Sequence, residues 1–377
     1  MKVSLVGVGQ AGGKITERLA RFDAERGFDA VQGALAVNSA TADLQSLSVA
    51  ETLLVGQDRV NGHGVGGDNE LGAEVMDADV DSVVDAFDRQ MSSRTEAIWI
   101  VAGLGGGTGS GGAPVLASTL ERIYDVPVYA LGILPGRNEG SLYQANAGRS
   151  LKTLVREADS TLLIDNDAWH EQGESIEGAF ETINDRIARR VGLLFASGEV
   201  FDRGGGGLTG RGSSDRGAIA AESVVDSSEV INTLRNGGVS ALGYASELAA
   251  EDSAENVHTV VTVARQALLT GTSLPDATDA EAALLVVIGD PDRIPRKGVE
   301  RARRWLEDET ESMQVRGGDF PLESDRLAAL VLLGGAERSE RLESFLERAR
   351  KAQTEEEQTS EADPAAAFAN DDLEDLF

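Results

Sequence analysis

The sequence contains no cysteine among its 377 residues. A disulfide framework and a thiolate metal site are therefore both excluded. Histidine is scarce as well, since only His63, His170 and His258 occur, far apart in the chain. Because none of them has a second histidine three or four residues away, the sequence offers no histidine cluster for a metal ion.

Long apolar runs are also absent. No stretch approaches the roughly 20 apolar residues that a helix needs to span a bilayer. Met1 and Lys2 lead directly into a strand pattern rather than into a signal peptide. We therefore expect a cytoplasmic protein without direct membrane insertion, which would approach the cell envelope only through partners.

Basic residues are few, because 34 lysines and arginines stand against 64 aspartates and glutamates, a net charge of −30. A surface this acidic repels nucleic acid and anionic membranes, so neither is expected as a partner. The acids are spread along the whole chain. Adaptation to concentrated salt, where the Debye length falls to about 3 Å, explains this more simply than an acidic binding surface, which stays the alternative.

Glycine, in contrast, is abundant, and its densest run follows an apolar stretch and precedes a helix-like pattern. The run consists of Gly105, Gly106, Gly107, Thr108, Gly109, Ser110 and Gly111. Glycines let successive amide groups turn toward one anion, and a helix start adds unpaired amides and a positive dipole end. Hydroxyls of Thr108 and Ser110 can add hydrogen bonds. The run therefore predicts a phosphate-binding loop, and a flexible linker is the less favoured interpretation.

The first half of the chain alternates short apolar runs with helical patterns. The predicted strands are Val3–Gly7, Ala34–Asn38, Ala97–Ala102, Val126–Leu134 and Ser160–Ile164. This alternation is typical of an α/β protein with a mostly parallel, Rossmann-like sheet that is covered on both faces. Ligands of such sheets bind beyond the carboxyl ends of the strands, where the glycine-rich loops of this chain lie.

The whole chain divides into five predicted regions. They are an amino-terminal domain at 1–172, a long central helix at 173–196, a mobile loop with an activating segment at 197–233, a second α/β domain at 234–351, and a disordered acidic tail at 352–377. In the second domain the patterns predict strands at Val257–Val263, Ala283–Ile288 and Leu327–Leu333, and helices at Pro295–Asp308 and Ser339–Lys351.

The predicted tail holds nine acidic residues and no basic one. It ends in Asp371–Phe377, where three apolar residues stand among acids. This segment is interpreted either as a docking peptide for an adaptor or as part of a solubilising tail.

The sequence partly matches two other nucleotide-binding motifs. Gly7–Gly12 has the G-x-G-x-x-G pattern of dinucleotide-binding proteins. However, the second strand ends in Asn38–Ala40, with no acid for a ribose diol, which disfavours an NAD-dependent oxidoreductase. Lys14 is not part of a P-loop, because Val8 and Ile15 stand where that motif requires glycine and a hydroxyl residue.

With these loops in this order, nearly the whole chain resembles the tubulin/FtsZ superfamily of filament-forming GTPases, and within it the archaeal, largely haloarchaeal, CetZ group. The resemblance implies GTP or GDP as ligand, with Mg²⁺ near Gln10. Carried over to matching positions, it implies nucleotide contacts from the following residues: Gly9, Gln10, Ala11, Gly12, Lys14, Asn38, Ser39, Gly66, Gly67, Gly105, Gly106, Gly107, Thr108, Gly109, Ser110, Pro135, Glu139, Asn166, Asn184 and Asp185.

Within this set the resemblance also implies individual roles. Glu139 matches the ribose position, and Asn166 and Asn184 match the two asparagines that bind guanine, to which an amide offers both donor and acceptor. Asp185 is a weaker candidate for the base. Without the resemblance, both asparagines would be interpreted as helix caps or solvated side chains. The sequence departs from FtsZ at Tyr143, where those proteins carry an arginine, so a phosphate contact is lost there or supplied from elsewhere.

The resemblance further implies that the loop after the long helix carries carboxylates into the nucleotide site of the next subunit. The best match to that loop is Val224–Glu229, so the resemblance makes Asp226 and Glu229 the candidates; lying three positions apart, they would share one helix face. Val224 stands where FtsZ has an asparagine. The same Asp-x-x-Glu pattern is also an ordinary capping box at a helix start.

The expected function is therefore a GTPase that assembles head to tail with itself and controls cell shape or motility. A regulatory filament protein with little hydrolysis and a division-type FtsZ-like GTPase are the alternatives.

Overall fold

The structure is a computed structural model, which describes residues 1–48, 51–169, 176–198, 225–336 and 339–361. Residues 199–224 of the predicted loop region at 197–233, with Val224 among them, and the predicted docking peptide Asp371–Phe377 lie outside these residues.

Ten strands form the sheet: β1 (Val3–Val8), β2 (Val31–Asn38), β3 (Glu51–Leu54), β4 (Ala97–Gly103), β5 (Val128–Leu134), β6 (Ser160–Asp165), β7 (Val239–Leu248), β8 (Ala280–Gly289), β9 (Gln314–Pro321) and β10 (Arg326–Ala336). Their spatial order is β3-β2-β1-β4-β5-β6-β7-β10-β8-β9. Strands β1 to β6 are parallel, whereas β10 runs antiparallel to both of its neighbours. The predicted α/β class with a mostly parallel amino-terminal sheet is confirmed.

Twelve α-helices accompany the sheet in the described residues: α1 (Gly9–Arg26), α2 (Thr41–Gln45), α3 (Gln57–Val60), α4 (Asn69–Ala78), α5 (Val80–Asp88), α6 (Gly107–Ile123), α7 (Ser141–Glu157), α8 (Ile176–Ser197), α9 (Ser227–Leu234), α10 (Val257–Leu269), α11 (Arg296–Thr310) and α12 (Glu340–Glu361). Short 3₁₀ helices span Asn166–Trp169, Ser253–Asn256 and Pro291–Arg293. Among these residues no helix combines the length and the apolar character needed to cross a membrane.

The apolar core forms one layer on each face of the amino-terminal sheet and a third layer in the second half. One face packs against α1 and α8 through side chains such as Leu19 and Ile187. The other face packs against α4 to α7 and α12, with Phe345 among its buried residues. Strands β6 and β7 pair only through Thr161–Val239 and Leu162–Ser240, so a short ladder joins the two halves of the sheet.

The predicted strand at Val257–Val263 is wrong, because this segment is the first part of helix α10. Val260, Val263, Ala264 and Ala267 are buried at helical spacing, and this face covers β7 and β10. The run of β-branched residues favours a strand locally, but burial of one helical face overrides that weak preference.

The predicted carboxyl-terminal boundary at Lys351 is also corrected, since α12 continues to Glu361. Ala352 is buried, and the Gln353 side chain donates a hydrogen bond to the carbonyl of Ala145 at 3.3 Å. Lys351 pairs with Glu355 one turn later. These contacts with α7 hold residues that composition alone assigns to the tail.

Candidate functional site

A cavity of about 700 Å³ opens at the carboxyl ends of the parallel strands. Sixteen of the twenty predicted nucleotide residues line it: Gly9, Gln10, Ala11, Lys14, Asn38, Gly66, Gly67, Gly105, Gly106, Gly107, Thr108, Gly109, Pro135, Glu139, Asn166 and Asn184. They come from the carboxyl ends of the six parallel strands β1 to β6 or from the segments that follow them, and from α8. The parallel topology therefore brings together segments that are separated by up to 175 positions in the sequence.

The glycine loop has the geometry of an anion site. Helix α6 begins at Gly107, directly at the cavity, and its N-cap Gly106 offers no side chain to occupy the first amides. Helix α1 begins at Gly9 in the same cavity. The positive dipole ends of two helices and their unpaired amide groups therefore face one space.

Glycine is required here because three loops meet at backbone distance. Gly9 has a φ of +75°, and a Cβ on it would lie 2.9 Å from the amide nitrogen of Gly109. A Cβ on Gly107 would lie 2.5 Å from Val65 and 2.8 Å from the carbonyl of Asp68. Side chains at these positions would push the loops apart and remove the common amide surface.

Four predicted residues do not line the cavity. The Ser110 hydroxyl donates back to the Gly107 carbonyl at 3.3 Å and borders a second cavity behind the loop. Gly12 packs against β4, where a Cβ would lie 2.1 Å from the carbonyl of Val101. Asp185 forms an ion pair with Arg18, and the Ser39 hydroxyl shares a hydrogen bond of 2.7 Å with Thr108. Ser110 and Asp185, which were predicted to contact the ligand, therefore have local structural partners instead, and Ser39 is bonded to Thr108, which lines the cavity.

Gln10 and Asn38 are connected through a carboxylate that the sequence interpretation missed. Each amide nitrogen donates to one oxygen of Asp43, both at 2.9 Å. Asp43 lies on the short helix α2 and lines the cavity. No motif marks this residue, because only the fold brings α2 beside the first loop.

The polar groups near Gln10 are suited to a magnesium ion that phosphates hold, rather than to a closed protein site. Among the described residues no group of three or more histidine, cysteine or acidic side chains is arranged to hold a metal. Magnesium usually keeps several waters and binds one or two carboxylates together with phosphate oxygens. The Asp43 carboxylate and the Gln10 side chain can supply these few protein ligands.

Asn146 is a second residue that sequence reasoning missed. Its amide nitrogen donates to the carbonyl of Gly67 at 2.7 Å and to that of Gly105 at 3.0 Å. It is fully buried on α7. One side chain therefore fastens the loop at 64–70 to the glycine loop, which couples two loops that the sequence shows only separately.

The rim of the cavity carries Glu139, Tyr143 and Asn166. One carboxylate oxygen of Glu139 accepts a hydrogen bond from the amide of Gly136 at 2.7 Å. Tyr143 lines the cavity and packs on the glycine loop. A Cβ placed on Gly105 would lie 3.2 Å from the Cβ of Tyr143. Asn166 is buried directly after β6. Glu139 follows β5 and Asn166 follows β6, whereas Gln10 follows β1, so the strand order places them toward different sides of the cavity.

Asp226 and Glu229 do not lie in this cavity. Asp226 is the N-cap of α9, and its side chain accepts a hydrogen bond from the Glu229 amide at 3.1 Å. Burial, and then the charge of Asp226, raise the pKa of Glu229, while a hydrogen bond from the Asp226 backbone and the charge of Arg316 oppose that rise. The capping box considered in the sequence is therefore present.

These carboxylates lie at the opposite edge of the sheet from the cavity. The hydroxyl of Ser227, next to Asp226, donates to Glu96 at 2.6 Å, and Glu96 precedes the first residue of β4. The cavity lies beyond the last residues of the same strand. A strand of seven residues is about 20 Å long, so neither carboxylate can reach the cavity of its own chain.

Comparison with known proteins defines the class of protein. Residues 2–174 match the family described as "Tubulin/FtsZ family, GTPase domain", and residues 173–351 match "Tubulin-like CetZ, C-terminal domain". The chain belongs to the tubulin/FtsZ superfamily, as the sequence resemblance indicated.

Within that superfamily it belongs to the CetZ group. It is 61% identical to tubulin-like protein CetZ2 of Haloferax volcanii over the full length of both chains. It is 45% identical to CetZ1 of the same organism, with 94% of this chain and 93% of that one covered. A solved CetZ2 protofilament with bound GTPγS superposes with a TM-score of 0.87 at 62% identity, covering 95% of this chain and 100% of that chain.

Proposed function

We propose that this protein binds GTP with magnesium, polymerises head to tail, and hydrolyses GTP at the junction between two subunits. The observation that carries the proposal is the separation of its two half-sites. The glycine-lined cavity lies at one edge of the sheet, and Asp226 and Glu229 lie at the other. A head-to-tail contact joins unlike surfaces and does not close on itself, so it brings the carboxylates of one copy to the cavity of the next.

Each part of the cavity has a role in this proposal. The amides of the glycine loop and of the first turn of α1 bind the phosphates, and Lys14 adds a positive charge. Glu139 binds the ribose hydroxyls, and the amides of Asn166 and Asn184 bind guanine. The residues near Gln10 hold magnesium, which neutralises phosphate charge when it is bound. The related CetZ1 structure from H. volcanii is a GDP-bound monomer with 46% identity and a TM-score of 0.83, which supports this ligand class.

Glu229 is the proposed activating carboxylate, and Asp226 supports it. An ionised carboxylate near the terminal phosphate orients the attacking water and accepts its proton. Asp226 also fixes the start of α9 through its capping hydrogen bond and so holds Glu229 in place. Because the junction supplies this group, turnover requires assembly.

Mixing two inactive variants tests this shared site. Glu229→Gln keeps the cavity, whereas Gly107→Ala disturbs the cavity and keeps the carboxylates. We expect each variant alone to be nearly inactive and their mixture to regain part of the turnover at mixed junctions, measured at molar KCl with magnesium. Glu121→Gln, which removes one negative charge from an exposed carboxylate at the end of α6, is the control and should keep normal turnover.

The concentration dependence gives an independent readout. Turnover per subunit should rise above a threshold protein concentration, together with light scattering. No recovery in the mixture, combined with turnover independent of concentration, would contradict a shared site. Flat, low turnover with tight GTP binding would instead favour a regulatory filament protein, an alternative that the exposed Tyr143 at the cavity supports.

Membership of the CetZ group supports a cellular role in cell shape or motility rather than in division. Deleting the gene should change cell outline or swimming and leave the division rate unchanged. Filamentous, undivided cells would point to the division-type alternative.

A further inference from the structure

The carboxyl-terminal helix reaches the cavity through one buried arginine. Arg341, in the first turn of α12, has a side chain that is only 4% exposed. Its guanidinium forms a two-pronged ion pair with Asp165, with one Nη at 2.8 Å from Oδ1, and the same nitrogen lies 2.7 Å from Asp167. These aspartates stand on either side of Asn166. One guanidinium therefore holds both neighbours of that residue.

The same network extends to the loop after β5. The carboxylate of Asp167 accepts hydrogen bonds from the Arg137 amide at 3.1 Å and 2.9 Å. The next contact along this loop joins the Gly136 amide to Glu139. The loops that carry Asn166 and Glu139 are therefore joined at Asp167, and Arg341 fixes that junction from a distant part of the chain.

From this geometry we infer that Arg341 is a positioning residue for the nucleoside half of the ligand. It sets the relative placement of Asn166 and Glu139, while the phosphate loops are built without it. This inference rests on the proposed binding of GTP. It assigns to α12 a part in recognising the base and the ribose that the cavity lining alone does not reveal.

The physical reason is the cost of leaving buried charges without partners. Loss of the guanidinium would leave Asp165, which is 1% exposed, buried and uncompensated. The loop would then relax and displace Asn166 and Glu139 from the positions in which they are proposed to bind the base and the ribose. The glycine loop and α1 share no hydrogen bond or ion pair with this network in the described residues, so the phosphate half should keep its geometry.

The test compares a whole nucleotide with its phosphate part. Affinities of GTP and inorganic tripolyphosphate are measured for the full-length chain and for Arg341→Lys, Arg341→Gln and Asp167→Asn. We expect GTP binding to weaken by about tenfold or more in Arg341→Gln, less in Arg341→Lys, and tripolyphosphate binding to stay within about twofold. Asp167→Asn is the milder variant if Arg341→Gln folds poorly, since Asp167 is 26% exposed.

Lys2→Gln is the matched control, because Lys2 is another buried cation with an aspartate partner, Asp29, at the opposite edge of the sheet. It should change neither affinity. Hydrogen exchange gives the reciprocal readout: GTP should protect the amides of residues 340–355 in the natural chain and protect them less in Asp167→Asn.

The outcomes separate the inference from the proposed function. If the natural chain does not bind GTP, the proposed function fails and the inference falls with it. If the natural chain binds GTP but the variants lose GTP and tripolyphosphate affinity equally, or lose neither, and the exchange of 340–355 does not respond to GTP, the inference alone is overturned.

Discussion

Gly106 and Gly107 are neighbours in the chain with opposite surroundings. A Cβ on Gly106 would meet no protein atom within 4 Å, whereas one on Gly107 would collide with Val65 and Asp68. We expect Gly106→Ala to leave the melting temperature of the nucleotide-free protein unchanged and to weaken GTP binding, because its methyl group enters the cavity.

Gly107→Ala should instead lower the melting temperature as well, by the equivalent of about 1–3 kcal/mol, as overpacking of a close contact does. Calorimetry of both variants, with and without GTP, checks the pair. Equal melting temperatures for the two variants would contradict the packing argument.

Glu229 leads to a prediction about pH. Its pKa is raised, so it ionises at a higher pH than an ordinary glutamate. Its protonated form favours the fold, so its contribution to stability is present at low pH and lost as the pH rises through the raised pKa. In its proposed role Glu229 must be ionised for turnover, so activity should decline on acidification at a higher pH than an unperturbed carboxylate, with a pKa of about 4.3, would require.

Asp226→Asn isolates the second cause of the raised pKa, the neighbouring negative charge, and leaves burial, the first cause, in place. Asparagine caps a helix about as well as aspartate, so α9 keeps its start while the neighbouring negative charge disappears. The acid limb of the turnover profile should then move to lower pH, whatever the height of the plateau. An unmoved limb would contradict the effect of the Asp226 charge on the pKa of Glu229.

The sequence predicts these sites unequally, for a physical reason. The glycine run and the Asp-x-x-Glu pattern act through amides that are close to them in the chain, so the local sequence is enough to predict their structural roles. Asp43, Asn146 and Arg341 act across the fold, and no spacing in the chain marks them. Ser110 shows the converse, because its hydroxyl is suited to phosphate but bonds to its own helix.

At the scale of elements, strands buried on both faces were predicted well because they are short, apolar and bounded by glycine or proline. Helix α10 was predicted as a strand because its valines favour that conformation locally, whereas packing on β7 and β10 stabilises a helix. Strands β3, β7 and β9 were missed; β9 combines glycine, charge and proline, so only pairing with β8 identifies it.

The end of α12 gives a prediction at this scale. A chain ending at Lys351 loses buried Ala352 and the Gln353 bond to Ala145, so it should be less stable than a chain ending at Glu361 by about 1 kcal/mol. Denaturant unfolding of both chains measures the difference. Gln353→Ala in the longer chain separates the hydrogen bond from the buried alanine, and equal stability of the two truncated chains would show that the extra turns contribute nothing.

For the whole molecule, the net charge of −30 governs the response to salt. The Debye length shrinks from about 10 Å at 0.1 M to about 3 Å at 1 M, so self-repulsion fades and the melting temperature should rise with KCl. Replacing Glu307, Asp308 and Glu309 at the end of α11 by Gln, Asn and Gln should shift the curve to lower salt. A melting temperature that falls with KCl would contradict this account.

The placement of the cavity and the carboxylates at opposite edges has an arithmetic consequence for a filament of n subunits. In the proposed filament, n subunits would hold n nucleotide pockets but only n − 1 complete catalytic sites, because the pocket at one end would face solvent. A dimer would then hydrolyse one of its two nucleotides, and a long filament all but one. The terminal subunit would keep its nucleotide until another copy arrives, so the two ends would differ in chemical state even though every subunit is identical in sequence.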